Sequence, residues 1–209
     1  MKKIKAVLFD MDGVLIDAKD WHYEALNKAL ALFGLTISRY DHLTTFDGLP
    51  TRVKLEMLSK RFFLPKSLHS FLNNLKQLYT NELICEKCHP QFHHEYALST
   101  LHKMGYKIAV CSNSIKRTID LMLDKAELIS YADLILSNED VKNAKPDPEI
   151  YITAIQRLGL EPEECIVVED NINGIQAGKA SGAAVFEVTN VYDVTLDNIL
   201  RFIRELEND

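Results

Sequence analysis

Lys5-Ala6-Val7-Leu8-Phe9-Asp10-Met11-Asp12-Gly13-Val14-Leu15-Ile16-Asp17 is the stretch whose reading decides the fold. Its apolar body is short, has little alternation and ends in a carboxylate, the pattern of a strand buried on both faces. Side chains two apart in an extended chain point the same way. Asp10 and Asp12 therefore project together from the C-terminal end of this strand, and Gly13 permits a sharp change of direction after them. Two adjacent carboxylates repel, so one is driven to protonate unless a cation lies beside them.

Downstream, the same shape recurs in Lys107–Ser112, Cys165–Asp170, Asp133–Ser137 and Ala183–Val188, each separated from the next by helical patterning. Strand signals alternating with helix signals predict an α/β fold with a Rossmann-like parallel sheet core. Polar residues gather at the C-terminal strand ends, the edge where open α/β sheets bind ligands. Residues 18–90 differ. Trp21, Ala25, Leu26, Leu30, Leu32 and Phe33 recur at helical spacing, and 52–60 and 67–84 read as amphipathic helices. Gly48-Leu49-Pro50 and Leu64-Pro65 break them. The expected organisation is a core of residues 1–17 and 91–209 with an inserted all-helical cap, 18–90, hinged near Asp17–Lys19 and Cys88–His93.

The 209 residues are 47% hydrophobic and 26% charged, the balance of an ordinary globular protein rather than a disordered one. With 24 Lys+Arg against 30 Asp+Glu the net charge is −6 and no basic block occurs. Nucleic acid and anionic membrane are poor partners for such a chain. No apolar run approaches the roughly 18–20 residues a membrane span needs. The start, Met1-Lys2-Lys3, is followed by an apolar stretch that Lys5 breaks and Asp10 stops, too early for a secretion signal. A cytoplasmic, monomeric protein with reduced Cys85, Cys88, Cys111 and Cys165 is expected.

Glu169 and Asp170 add two carboxylates at a later strand end. If the sheet brings these ends to Asp10 and Asp12, the cluster asks for a hard divalent cation with oxygen ligands, Mg²⁺ foremost. Ser112 and Asn113 follow a buried strand and precede a helix beginning near Ile115, where hydroxyl and backbone N–H groups can hold a phosphate. Lys145 lies between Ala144 and Pro146-Asp147-Pro148, in a loop that its prolines stiffen. Cys85-Glu86-Lys87-Cys88-His89, with His93 and His94 nearby, offers zinc-type or haem-type ligands, but hinge packing explains it better. Gly174, Gly178 and Gly182, four apart, read as a helix packed close against the sheet.

Taken in order, Asp10-Met11-Asp12-Gly13-Val14-Leu15-Ile16-Asp17, Ser112-Asn113, Lys145-Pro146 and Val168-Glu169-Asp170-Asn171 resemble the four motifs of the haloacid dehalogenase superfamily. The spacing and helical insert are similar to its phosphatase and β-phosphoglucomutase branch. The resemblance implies an Mg²⁺-dependent phosphomonoester hydrolase for a small phosphorylated metabolite, of sugar phosphate or phosphoglycolate type. By it, Asp10 is the nucleophile that forms an aspartyl-phosphate, and Asp12 the acid and then the base. Mg²⁺ is held by Asp10, the Asp12 backbone carbonyl and Asp170, with Glu169 ligating through water. Ser112, the Asn113 amide and Lys145 neutralise the phosphoryl oxygens. His22 and Arg52 occupy places similar to that branch's polar cap and hinge residues, and Arg52 could pair with a second anionic group on the substrate. Ala18 replaces a common Thr, and a cap lysine typical of the mutases reads as replaced by a polar residue near Asn81. Both departures favour hydrolysis over a β-phosphoglucomutase-like phosphosugar mutase. Two other classes, a non-catalytic phosphate-binding protein on the same fold and a receiver-type signalling domain, fit less well: Asp10 and Asp12 are both present, and a cap intervenes.

Overall fold

Strand β1 (Ala6–Phe9) is the centre of the sheet, and every apolar residue in it is buried. The computed structural model describes residues 3–208; Met1, Lys2 and Asp209, the ends of the expected core, lie outside the described residues. After β1 the chain makes α1 (Lys19–Ala31), the short turn α2 (Arg39–Asp41), α3 (Thr51–Phe62), α4 (His69–Lys87) and α5 (Phe92–Lys103). It then alternates: β2 (Lys107–Cys111), α6 (Lys116–Lys125), β3 (Leu134–Leu136), α7 (Glu149–Leu158), β4 (Cys165–Glu169), α8 (Ile172–Ala180), β5 (Ala184–Glu187) and α9 (Leu196–Asn208). The strands pair in parallel in the order β3-β2-β1-β4-β5. This is the expected α/β core, and the segment between β1 and α5 is helical among the described residues.

The strand period of two sorts the core into faces. Val7, Phe9, Val110 and Val168 face α5, α6 and α9. Ala6, Leu8, Ala109 and Val167 face α7 and α8. Burial on both faces holds for β1, β2 and β4. It does not hold for β3 and β5, where only Leu136 is buried: they are the edge strands, flanked by one neighbour each. A third apolar cluster, with Leu26, Leu30, Phe46, Leu55, Leu58 and Leu72, lies wholly among α1, α3, α4 and the turns between them. This insert thus carries its own core. No helix among the described residues is long and apolar enough to cross a membrane.

From β1 the chain moves outward through β2 and β3, then returns to β1's other side with β4. That reversal opens a crevice at the C-terminal ends of β1 and β4. The register sets Phe9 opposite both Val110 and Val168, so the next residues, Asp10 and Glu169, come out side by side.

Candidate active site

The strand ends and the helical insert enclose a cavity of about 1110 Å³, lined on the core side by Asp10, Asp12, Ser112, Asn113, Lys145 and Glu169. It is large enough for a metabolite-sized ligand. Asp10 sits on its floor, anchored by its backbone N–H to Val168. The buried Lys145 ammonium donates to Asp10 Oδ1 at 2.6 Å and to Glu169 Oε1 at 2.7 Å, and also meets the Cys111 carbonyl and the Tyr151 hydroxyl. Burial alone would discharge this lysine; the two carboxylates outweigh burial and hold it well above its usual range. Burial and the nearby Glu169 push the Asp10 carboxyl well up, against the pull of Lys145.

Glu169 is fully occupied. Oε1 accepts from Lys145 and from the Tyr151 hydroxyl at 2.7 Å; Oε2 accepts from the backbone N–H groups of Asp170 and Asn171. Gly174 makes room for it, since a Cβ there would overlap the Glu169 carboxylate. Gly174 and Gly178 therefore mark close packing of the helix, with Gly178 against Val167 and Val185, whereas Gly182 does not belong to that stripe: it lies beyond the end of α8, at φ 88° beside Pro162. Asp170 is the opposite case. Its side-chain oxygens are buried, and their sole counterpart among the described residues is the Lys19 ammonium, from the first turn of α1. Burial raises Asp170 to about 6 despite Lys19. Gly13, at φ 96°, lets the chain pass beneath Asp170 where a Cβ would collide with it.

Asp10, Glu169 and Asp170 each offer an oxygen within 4.8 Å of the others. An all-carboxylate donor set, with Asp170 short of donors and Asp10 driven toward protonation, fits a hard divalent cation. The Asp12 side chain does not join this set. It faces the insert, where His22 Nε2 lies 3.0 Å from Oδ1 and the Ser114 hydroxyl donates to Oδ2 at 3.0 Å. Burial raises Asp12, but His22 and Ser114 outweigh it and leave the carboxyl below its ordinary value. Burial lowers His22, with Lys76 adding to the effect, and the Lys76 ammonium donates to His22 Nδ1 at 3.1 Å. His22 therefore carries its proton on Nε2, aimed at Asp12.

The structure brings Asp10, Asp12, Ser112, Asn113, Lys145, Glu169, His22 and Arg52 to one cavity, with Asp170 just beneath it. Their emphases differ from expectation. The Ser112 hydroxyl caps the following turn through the Ser114 N–H. The Asn113 side chain donates to the Gly48 carbonyl at 2.9 Å, tying the core to the insert. Asn171 does the same through Asp47. Arg52 stands exposed at the cavity mouth. A lysine of the insert does line the cavity, Lys76 rather than a residue near Asn81, so the expected lack of one does not argue against mutase chemistry. Sequence reasoning also missed Lys19, Lys54, Ser114 and Tyr151. Lys54 and Lys76 had a readable signal, as both fall on the buried faces of amphipathic helices, Lys54 beside Leu55 and Leu58, Lys76 between Leu72 and Thr80. The Cys85–His94 run does not converge: Cys85 is exposed, Cys88 bonds the Met122 carbonyl and His94 the Val191 carbonyl.

A family profile described as haloacid dehalogenase-like hydrolase matches residues 7–188. A phosphorylated carbohydrates phosphatase of Thermotoga maritima is 31% identical over 182 residues, spanning 86% of this chain and 82% of the relative. A phosphoglycolate phosphatase of Aquifex aeolicus is 32% identical over 179 residues, with the same 86% and 82% coverage. Among solved structures, a β-phosphoglucomutase of Clostridium difficile superposes with a TM-score of 0.84 over 99% of this chain and 100% of that one, at 24% identity, a likeness of fold.

Proposed function

The chain belongs to the haloacid dehalogenase-like hydrolases, and from that premise we propose that it is an Mg²⁺-dependent phosphomonoester hydrolase working through an aspartyl-phosphate on Asp10. The observation that carries this reading is the placement of Asp10 on the cavity floor, 2.6 Å from the buried Lys145 ammonium and beside Asp170. A carboxylate held in place beside a fixed cation can attack phosphorus while its neighbours balance the phosphoryl charge. Asp10 and Asp170 with the Asp12 backbone carbonyl would hold Mg²⁺, and Glu169 would reach it through water. Bound there, the ion draws negative charge from the phosphoryl oxygens.

In the first half-reaction Asp10 forms the new P–O bond as the bond to the alcohol oxygen breaks, and the leaving alkoxide takes a proton that Asp12 has first picked up from solvent as substrate binds. In the second, Asp12 removes a proton from the water that releases phosphate. The resting structure, in which His22 and Ser114 keep Asp12 ionised, supports the second role directly. Ser112, the Asn113 amide and Lys145 surround the phosphoryl group. Residues 18–90 act as the cap over a core of 1–17 and 91–209; the insert's separate apolar cluster supports that division. Substrates of sugar phosphate or phosphoglycolate type suit the cavity and the relatives' names.

The test is phosphate release from an aryl phosphate and a panel of small phosphorylated metabolites. EDTA should abolish it and Mg²⁺ restore it. Asp170→Asn should raise the Mg²⁺ needed for half-activity by at least the roughly 10–100-fold that loss of an outer-shell partner costs. Full activity in chelator counts against the metal assignment. Lys76 beside His22 favours a second reading, transfer to a sugar hydroxyl instead of water. Phosphosugar isomer formation without phosphate release would select it.

A further inference from the structure

Lys19 opens α1, and a positive charge is unfavourable in the first turn of a helix. Its partner explains the placement. The ammonium crosses from the insert to the core and pairs with Asp170, whose side chain is fully buried. Gly13 shapes the seat, since a Cβ there would collide with both Lys19 Cε and Asp170 Oδ2. The charges of Asp47 and Asp10 add to the hold.

Each carboxylate of the acidic set therefore has an ammonium beside it. Asp10 and Glu169 share Lys145, and Asp170 has Lys19. The two lysines differ in freedom. The Lys145 side chain is 3% exposed and is also fixed by the Cys111 carbonyl and the Tyr151 hydroxyl. The Lys19 side chain is 29% exposed, and Asp170 is its sole ion-pair partner among the described residues, so it is the one that can leave. A divalent cation that uses Asp170 needs the oxygens that Lys19 faces. Like charges a few ångströms apart repel strongly in so buried a place, and one carboxylate cannot serve both at full strength.

We propose that Lys19 sets the metal affinity of this site: its ammonium competes with the divalent cation for Asp170 and gives way as the cation binds. The affinity for Mg²⁺ is thereby held below what the carboxylates alone would give. This rests on the metal-dependent phosphohydrolase reading above. Asp47, which lines the same cavity and whose charge already acts on Lys19, is where the displaced ammonium can turn. Because Lys19 stands on α1 and Asp170 at the end of β4, the exchange trades a contact between insert and core for metal, and so ties metal loading to the freedom of the insert.

The experiment is calorimetric titration of the full chain with MgCl₂ at about pH 8.5, above the ionisation of Asp170 at about 6. A charge-assisted hydrogen bond of ordinary strength is equivalent to about a 10–100-fold factor in binding. Lys19→Met, which keeps the apolar stem, should therefore bind Mg²⁺ about 10–100-fold more tightly than the native chain. Lys19→Gln, also uncharged, should gain affinity too. Lys19→Arg keeps the charge and should gain no more than about 3-fold. At one fixed Mg²⁺ concentration, the rise in Tm over a sample in EDTA should be larger for Lys19→Met than for the native chain. Equal or weaker Mg²⁺ binding by both uncharged variants overturns the proposal. A gain that Lys19→Arg shares in full also overturns it, by tracing the effect to hinge packing rather than charge. Mg²⁺ binding that is unchanged in Asp170→Asn would instead overturn the metal assignment itself.

Discussion

Replacing Gly174 with alanine separates local helix preference from the packing that shapes the site. Inside a helix this change ordinarily stabilises by about 1 kcal/mol. Here the new Cβ would overlap the Glu169 carboxylate. Either α8 backs away from the sheet or Glu169 gives up its place between Lys145, Tyr151 and the backbone of Asp170 and Asn171. Breaking a buried ion pair costs about 3–5 kcal/mol. Subtracting the helix gain leaves roughly 2–4 kcal/mol of destabilisation, or a fall in Tm of about 4–16 °C for a chain of this size. Activity should fall by about 100-fold, because Lys145 and Asp170 are both positioned through Glu169. Gly178→Ala is the control. Its Cβ would come within 2.9 Å of Val185 Cγ2 and 3.1 Å of Val167 Cγ1, an overpacking of aliphatic groups away from the carboxylates. That costs about 1–3 kcal/mol, which the same helix gain reduces to about 0–2 kcal/mol, and kcat should hold. The assay is a thermal melt with kcat at saturating Mg²⁺ for both variants. A Gly174→Ala protein that melts at or above the native temperature with full kcat would refute the reasoning.

Two further changes test other parts of the structure. Asp10→Asn should abolish phosphoenzyme in rapid-quench trapping with an aryl phosphate. Asp12→Asn should still form it, since a good leaving group needs little protonation, but should release phosphate about 10²–10⁴-fold more slowly; the reverse pattern would exchange the two roles. His42 is buried with no hydrogen-bond partner at either ring nitrogen, and burial, aided by Lys54, lowers it to about 4. The unfolded chain takes up that proton below about 6.5 and the folded chain does not, so stability is full above pH 6.5 and falls as the pH drops toward 4. His42→Phe should flatten that decline by up to about 1.4 kcal/mol per pH unit in urea melts between pH 4.5 and 7; an unchanged slope would show that His42 is not the group responsible.

What could be read from the chain follows from where each group sits. Asp10, Asp12, Glu169 and Asp170 were legible because a strand end imposes order: an apolar run that terminates in carboxylates announces both the buried strand and the edge on which its last side chains stand. Parallel pairing through Phe9, Val110 and Val168 then brings separate strand ends together with little freedom to do otherwise. Helical residues give no such warning. A lysine on a helix reads as solvated, and whether it is buried depends on which face the helix turns inward. For Lys76 the neighbours Leu72 and Thr80, one turn away on either side, supplied that information, and for Lys54 it was Leu55 and Leu58. Tyr151 shows the remaining gap. It sits in an apolar stripe with Ile150, Ala154 and Ile155, and nothing in that stripe distinguishes a packed aromatic ring from one whose hydroxyl reaches Glu169. The distinction depends on β4 lying beside β1, a long-range pairing that no local window contains. The carboxylates on the cavity floor are thus fixed by the sheet and visible in strand patterns. The lysines on the opposite wall of the cavity stand on helices of the insert, and there a charged residue inside an apolar stripe is the signal to look for.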